Sequence, residues 1–597
     1  MDSTTVIGVD LGTTNTAVAF ANLEGEEKAA DFPIAQLVAP GNVEPRPTLP
    51  SFLYLPSQHE LPAGSLSLPW DESAAFAIGT FARDDGSKVP DRLISSAKSW
   101  LCQEEADRRG PILPWKAPGD VSRQSPVEAS ANYLSHIASA WQSETSTAFA
   151  AQEIILTVPA SFDAVARELT VEAARLAGIK DLLLLEEPQA AFYAWLEAAG
   201  DGWRQQVGLG ERILVCDIGG GTTDLTLIVV SEQDGDLQLE RIAVGDHILL
   251  GGDNMDLSLA VMVQNRLKEA GTRLDSWQLR VLTHECRKAK EKLLSGAAET
   301  ATLTVAGRGS RLIGGAIGAE LTAADVEETL VDGFFPHCLP GDATLQRRRM
   351  GLSELGLPYE ADPAITRHLA RFLRLHRPKG EELFQPTAVL FNGGVLKSPV
   401  LQARVAEVLN SWLADEGSPP VKLLAGTDLE LAVARGAARY GLVRRGTGIR
   451  IRGGTSRSYY IGVEVAMPAV PGMAPPVKAV CVAPFGMEEG TEESLPGQEF
   501  GLVVGEPVEF PFLASTTRAQ DRVGDSFEDW EDEGIEPLTA VSASLEAERG
   551  EPGTLVPVTL HARVTEIGTL ELWCHERDGE GRWKLEFQVR ESPQGVA

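Results

Sequence analysis

Apolar positions along this 597-residue chain follow two rhythms. Up to about residue 443, short β-branched runs alternate with longer segments of helical period; from about residue 458 only the two-residue rhythm of strands remains. The first part opens with Val6-Ile7-Gly8-Val9, a tight turn and Ala17-Val18-Ala19-Phe20. The same plan returns at Ile213-Leu214-Val215-Cys216 and Leu225-Thr226-Leu227-Ile228, so two strand-turn-strand units are predicted. Between them, 126–144 has helical period, 153–158 is a buried strand ended by Pro159, and a helix over 163–177 is closed by Gly178. A strand at 182–185 leads through Glu186-Glu187-Pro188 into a helix over 189–199, begun by a proline that suits a first turn. The order strand, helix, strand, helix predicts an α/β fold with ligands at the carboxyl ends of strands.

The second half repeats this plan. Residues 255–295 are predicted helical, 300–317 short strands, 321–335 a helix capped by Thr322, 387–391 a buried strand and 432–442 a helix in which Gly436 permits close approach. Prolines crowd 40–70, which predicts an irregular lobe. Residues 337–385 mix arginines with glycine and proline and are expected to be an insertion on the surface. Strands are expected at 459–465, 477–482, 500–512, 539–545, 556–564, 569–575 and 583–589, at the spacing of a β-sandwich, with 521–536 a solvated acidic loop. The domain reading is 1–443 for the α/β part, 444–457 for a linker, 458–592 for the β-sandwich and 593–597 for a tail.

Lys and Arg total 53 against 85 Asp and Glu, a formal charge of −32, which opposes a nucleic-acid partner because phosphate neutralisation supplies most such affinity. No apolar stretch reaches membrane-spanning length, and no leader precedes the first strand, so a cytoplasmic protein without a membrane partner is expected. The six cysteines lack Cys-x-x-Cys spacing and read as reduced core fillers.

The two turns carry the chemistry. They read Val9-Asp10-Leu11-Gly12-Thr13-Thr14-Asn15-Thr16 and Cys216-Asp217-Ile218-Gly219-Gly220-Gly221-Thr222-Thr223-Asp224. Glycines bring backbone N–H groups close to phosphate oxygens, and threonine hydroxyls add donors. Asp10 and Asp217 would be repelled by phosphate directly, so they are expected to hold Mg²⁺ through water. Neither turn is a Gly-x-x-x-x-Gly-Lys-Ser/Thr loop nor a dinucleotide fingerprint. One such turn alone would be an ordinary hairpin; the pair suggests two similar halves closing on one nucleotide.

These loops occur in one order with Thr157-Val158-Pro159-Ala160-Ser161-Phe162, Glu187-Pro188-Gln189-Ala190-Ala191, Leu250-Gly251-Gly252-Asp253-Asn254-Met255-Asp256 and Asn392-Gly393-Gly394. In this the chain resembles the seventy-kilodalton heat-shock chaperones, the DnaK-type proteins of the actin-like ATPase superfamily. The resemblance implies two RNase H-like lobes with subdomains clasping ATP or ADP and Mg²⁺, followed by a β-sandwich that binds peptide. No helical lid is expected after the last strand. It implies phosphate contacts at Gly12, Thr13, Thr14, Asn15, Gly219, Gly220, Gly221 and Thr222, with Gly251, Gly252, Lys288, Gly393, Gly394 and Lys397 toward the rest of the nucleotide. Lys98 aligns with the lysine placed against the γ-phosphate and attacking water. Glu187 aligns with the glutamate that links hydrolysis to lobe movement, with Pro159 and Arg167 as its relay partners.

Three departures stand out. Arg287 and Leu294 replace a glutamate and a serine on the adenosine helix. Val395 and Lys397 replace the serine and the stacking arginine, and a lysine offers no flat guanidinium face. The usual apolar, acidic linker is replaced by Arg444-Arg445-Gly446-Thr447-Gly448-Ile449-Arg450, which leaves domain coupling open. The leading reading is an ATP-hydrolysing chaperone-like protein that binds unfolded or extended polypeptide, with a J-domain co-chaperone and a nucleotide exchange factor as partners. A nucleotide-gated scaffold or pseudo-ATPase with a dedicated protein partner is the alternative, and a sugar kinase of the same superfamily a third.

Overall fold

A computed structural model describes residues 5–587 apart from 24–27, 104, 234–235, 308–314, 346–355, 446–450, 453, 466–475, 489, 496–499, 504–506, 539–540, 545–553, 566–568, 578 and 580. The α/β part contains two sheets of the same design. In the first, Leu182–Glu186, Glu153–Val158 and Thr5–Leu11 run parallel, and Asn15–Asn22 returns antiparallel with Ala30–Asp31 and Thr48–Pro50 beside it. In the second, Lys422–Leu424, Ala388–Asn392 and Arg212–Ile218 run parallel, with Thr223–Gln233 and Asp236–Val244 antiparallel beyond them. Both hairpins sit at the carboxyl ends of their parallel strands, so the two glycine-rich turns face the crevice where such sheets bind ligands.

Two helices pack between the sheets. Glu187–Ala199 and Ala432–Arg444 approach so closely that a Cβ on Gly436 would collide with the Ala190 carbonyl oxygen. Ala432–Arg444 also lies on the first strand, where Gly8 leaves room for the backbone at Ala434 and Ala438. The shared core joins Val6, Leu185 and Phe192 to Ile213, Val215, Leu390, Ala437 and Tyr440, so both halves bury one apolar body.

The C-terminal part is two facing sheets. One orders Ser526–Phe527, Val477–Ala483, Ser458–Glu464, Phe512–Ser515 and Glu536–Pro537; the other orders Glu492–Ser494, Leu555–Val564, Leu570–Glu576, Arg582–Phe587, Val541–Ser544 and Pro507–Phe510, with Phe500–Val503 also on Leu555–Val564. Alternate residues face inward, giving a core of Tyr459, Ile461, Val480, Phe512, Leu560 and Leu572. That core continues without a break into Leu101, Val127, Ala131, Val165 and Leu169 of the first lobe. The β-rich part therefore rests on the helices Pro126–Thr145 and Ala164–Leu176.

Several sequence expectations are corrected. The helical stretch 255–295 is two helices, Gly252–Glu269 and Ser276–Leu294, split where Gly271 takes positive φ and Asp275 caps the second. Leu321 belongs to the strand Ala316–Thr322, although Thr322 does cap the helix that follows. Residues 337–385 are not a surface appendage throughout. Ile365–Leu375 is a helix whose Ile365, Leu369, Phe372 and Leu373 enter the core of the second lobe; the arginines on its other face hid that stripe. Arg347, Arg348 and Arg349 lie outside the described residues. The run 500–512 contains the strands Phe500–Val503 and Pro507–Phe510, the second ending before Pro511, which lacks an N–H donor, and Phe512 opens a strand of the facing sheet. The acidic loop is partly anchored: Tyr460 donates to Asp521 at 2.6 Å and Trp530 Nε1 to the Val477 carbonyl at 3.0 Å. Ile451–Arg452, in the expected linker, pairs parallel with the strand Asp236–Val244 and so extends the second lobe's sheet; Arg450 and the 593–597 tail are outside the described residues. Among the described residues no helix is long and apolar enough to cross a membrane.

Candidate functional site

Strand register decides what the crevice contains. Asp10 at the end of the first strand pairs with Thr157, and Asp217 at the end of its counterpart pairs with Asn392. Glu187 opens the helix that leaves the neighbouring strand Leu182–Glu186. Parallel strands end side by side, so side chains far apart in sequence converge on one cleft of about 450 Å³. Its walls include Asp10, Gly12, Thr13, Thr14, Asn15, Lys98, Glu187, Asp217, Gly219, Gly220, Thr222, Gly252, Asn392, Gly393, Gly394 and Lys397. Gly12, Gly220 and Gly393 are needed for the shape. A Cβ on Gly12 would strike the Asn15 carbonyl, one on Gly220 the Thr14 hydroxyl, and one on Gly393, at φ +86°, the Ile218 carbonyl.

Lys98 Nζ makes an ion pair with Glu187 at the floor of this cleft, both nearly buried. Asp10 accepts from Thr157 at 3.3 Å and Asp217 from Asn392 Nδ2 at 2.7 Å. One lysine cannot balance so many carboxylates. Burial, and then the nearby Glu187, push Asp10 up to about 7. The same two causes raise Asp217 well above the carboxylate range. Burial raises Glu187 as well, against the pull of Lys98. For Lys98 burial favours the neutral amine, yet Glu187 and Asp10 together outweigh it and the ammonium is held. An oxygen donor set with surplus negative charge, no His or Cys among the described lining residues, and an unpartnered buried Asn392 Oδ1 fits a hard divalent cation such as Mg²⁺. Ser99 Oγ is also buried without a partner, against Gly221.

The opposite end of the cleft is lined by Arg287, Lys290, Leu294, Val395, Lys397 and Glu430. Arg287 is committed to Asp253 and, at 2.7 Å, to Asp256, and its cation stands 5.6 Å from the Phe52 ring centroid. Lys290 pairs with Asp256 at 2.6 Å, and Lys397 with Glu430 at 2.6 Å. Lys288 is not among the lining residues: its ammonium faces Asp84 and Glu285 at 3.8 and 3.7 Å, and Lys290, further along the same helix, takes the inward position. Gly221 and Gly251 also stay behind the lining, where Cβ atoms would meet Thr13 and the Gly219 carbonyl.

Pro159 follows Val158, the register partner of Glu186, at the strand end beside Glu187, whereas Arg167 is committed elsewhere. Arg167 pairs at 2.6 Å with Glu186, whose second oxygen binds Arg241. Side chains of adjacent residues at a strand end point in opposite directions, so Glu186 turns to the β-rich part while Glu187 turns to the cleft. Arg241 then donates to the carbonyls of Gly454 and Thr455 at 2.7 and 3.0 Å. A second polar path runs beside it. Asp224, directly across the hairpin from Asp217, accepts from Ser161, which also bonds His247 Nδ1 at 2.7 Å. Arg457 donates to the Ser161 carbonyl at 2.8 Å. Burial and then Arg457 depress His247 to about 4, so it is neutral.

Sequence reading missed Glu186, Arg241, Asp224, Ser161, His247, Arg457, Asp253, Asp256 and Asn392, while Lys290 was matched, with Lys288, to a basic position near the adenosine. Asn392 and Asp224 stood within quoted motifs and signalled themselves by position at strand ends. Arg241 and Arg457 carried no local signal.

Residues 78–333 match the family model described as Hsp70 protein. The chain is similar to the chaperone protein HscA of Pectobacterium carotovorum, 29% identical over 316 residues, covering 50% of this chain and 44% of the relative. It is 31% identical over 339 residues to the HscA homolog of Ralstonia nicotianae, covering 54% and 47%. With the HscA homolog of Pseudomonas aeruginosa it shares 27% identity over 447 residues, covering 72% and 56%. The chain thus spans about half the length of the curated relatives it matches.

Proposed function

The chain belongs to the Hsp70 family, and from that premise we infer that it binds and hydrolyses ATP and uses the nucleotide state to govern binding of extended polypeptide by its β-rich part. The observation that carries this reading is the buried Lys98–Glu187 pair set between Asp10 and Asp217 on the floor of a cleft walled by both glycine-rich turns. Backbone N–H groups of the turns and the hydroxyls of Thr13, Thr14 and Thr222 would receive the phosphates. Mg²⁺ held through water by Asp10 and Asp217 would supply charge compensation at the transferred phosphoryl group. Lys98 orients the attacking water and offsets charge on the γ-phosphate; Glu187 fixes the lysine and takes part in the hydrogen-bond chain to that water. No covalent nucleophile is needed, because positioning and electrostatics supply the acceleration.

Coupling to the β-rich part runs through the strand end that supplies Glu187. A shift of that end on hydrolysis moves Glu186, and with it Arg241 and the backbone at Gly454 and Thr455. Polypeptide would bind by pairing along a strand edge with apolar pockets for alternate side chains. Co-chaperones of J-domain and exchange-factor type belong to the same proposal. Single-turnover hydrolysis tests it: Lys98→Ala should retain nucleotide binding and lose about 10²-fold or more in rate, the scale of one electrostatic contact in a water-poor site. An unchanged rate removes Lys98 from the mechanism.

A nucleotide-gated scaffold is the second reading, favoured by the ion pairs at the far end of the cleft. Arg287 and Lys397 are already neutralised by Asp253, Asp256 and Glu430, so adenosine gains little from them. Calorimetric titration with ATP, followed by a turnover assay with and without unfolded peptide, separates the two: binding without turnover selects the scaffold.

A further inference from the structure

Three strands of the larger C-terminal sheet bring Glu492, His561 and His575 together on one face. Strand pairing places Ser494 opposite His561 and Thr559 opposite His575. With a two-residue period, Glu492, His561 and His575 share the solvent side, while Leu560, Ala562, Leu572 and Cys574 fill the core. This array lies on the β-rich part, and neither the nucleotide cleft nor the polar paths described above use it.

We propose that Glu492, His561 and His575 form a binding site for a divalent transition-metal ion of the Zn²⁺ type. One ligand atom from each residue lies within 4.8 Å of the others, and His561 Nδ1 stands 3.5 Å from Glu492 Oε1. Two ligands held about 2.0–2.1 Å from a tetrahedral ion are separated by roughly 3.4 Å. The pair thus needs almost no movement to close on an ion. The other nitrogen, His561 Nε2, lies 3.2 Å from Thr559 Oγ1. Thr559 Oγ1 also donates to the His575 carbonyl at 3.5 Å, so its lone pair is available to accept from Nε2 and leave Nδ1 free to bind, as an outer hydrogen bond does for a metal-bound histidine. The imidazole rings of His561 and His575 stack with centroids 3.9 Å apart and planes 27° apart, so their in-plane lone pairs run side by side and His575 turns about its side-chain torsions to aim a nitrogen at an ion held by Glu492 and His561. Arg563, opposite Glu492 in register, and Arg582, opposite His575, are the facing cations and limit the charge the site will accept. Two imidazoles and one carboxylate suit Zn²⁺ over Mg²⁺ or Ca²⁺, and the half-exposed position leaves a fourth ligand to water or to another molecule.

The full chain, without an affinity tag and stripped of metal by a chelator, is titrated with Zn²⁺ by calorimetry and with Co²⁺ by visible absorption. One ion per chain is expected, with Co²⁺ bands of a low-coordinate site. Thr559→Val should weaken binding about tenfold, and His561→Asn or His575→Asn at least about 100-fold. Glu492→Gln, which keeps size and shape, is the mildest test of the carboxylate. Zn²⁺ should raise the melting temperature of the unaltered chain and not of the double histidine variant. Absence of saturable binding, or binding of equal strength in the His561→Asn, His575→Asn double variant, overturns the proposal. ATP turnover is independent of either result, so failure here leaves the reading of the cleft standing.

Discussion

Replacing Asp10 by asparagine should stabilise the ligand-free protein while removing its use of Mg²⁺, and the gain should depend on pH. Asp10 is raised from 3.8 to about 7, chiefly by burial and then by Glu187. In the unfolded chain it titrates in the usual carboxylate range, so between the two values the folded state holds a proton that the unfolded state has released. Stability then falls as pH rises, because the folded state binds more protons. At about 1.4 kcal/mol per pKa unit, the penalty grows by about 2 kcal/mol from about pH 5.5 to neutrality and is flat above. An asparagine side chain carries no ionisable proton and can still accept from Thr157. The gain of Asp10→Asn over the parent should therefore rise by about 2 kcal/mol across that window, or a few degrees in the first thermal transition. Differential scanning calorimetry without nucleotide or Mg²⁺ measures it at each pH. A gain that does not change with pH, or a net loss above neutrality, would refute the assignment of surplus charge to this cluster. Added Mg²⁺ and ATP should stabilise the parent more than the variant, reversing the order.

Two further substitutions probe how the parts are joined. Arg241→Leu strips Glu186 of one of its two arginines and removes the Nη2 group that donates to both backbone carbonyls at 454–455. Breaking a buried ion pair costs about 3–5 kcal/mol, so limited proteolysis should cut within 444–457 faster than in the parent; equal cutting rates would separate Glu186 from the interdomain contact. Gly436→Ala places a methyl against the Ala190 carbonyl and should destabilise by about 1–3 kcal/mol. Chemical denaturation measures this, and a neutral outcome would mean the two central helices can separate at little cost.

Much of the α/β part was legible because its elements announce themselves locally. Each hairpin pairs apolar β-branched strands across a glycine turn, and 153–158, 182–185 and 387–391 are continuous apolar runs that only a sheet covered on both faces requires. Lys98 was legible only by resemblance, since a lone lysine in Ser95-Ser96-Ala97-Lys98 has no period or motif to mark it. The helix Ile365–Leu375 was hidden by its own arginines, and the split at Gly271 by a helical rhythm that runs on either side of the turn. Lys288 and Lys290 differ by two residues, about 200° around a helix, and which of them faced the cleft depended on the helix's rotation against the second lobe.

The sequence by itself determined the two glycine-rich turns, their aspartates and the duplicate sheets that carry them, because glycine, β-branched and capping preferences act within a few residues. Tertiary structure alone decided which charges meet. Glu186 and Glu187 are neighbours in the chain, yet one joins Arg167 and Arg241 against the β-rich part and the other joins Lys98 in the cleft. Coulombic partners are chosen by distance through space in a medium of low polarisability, and that distance is set by how two sheets and two helices pack, which no local pattern records.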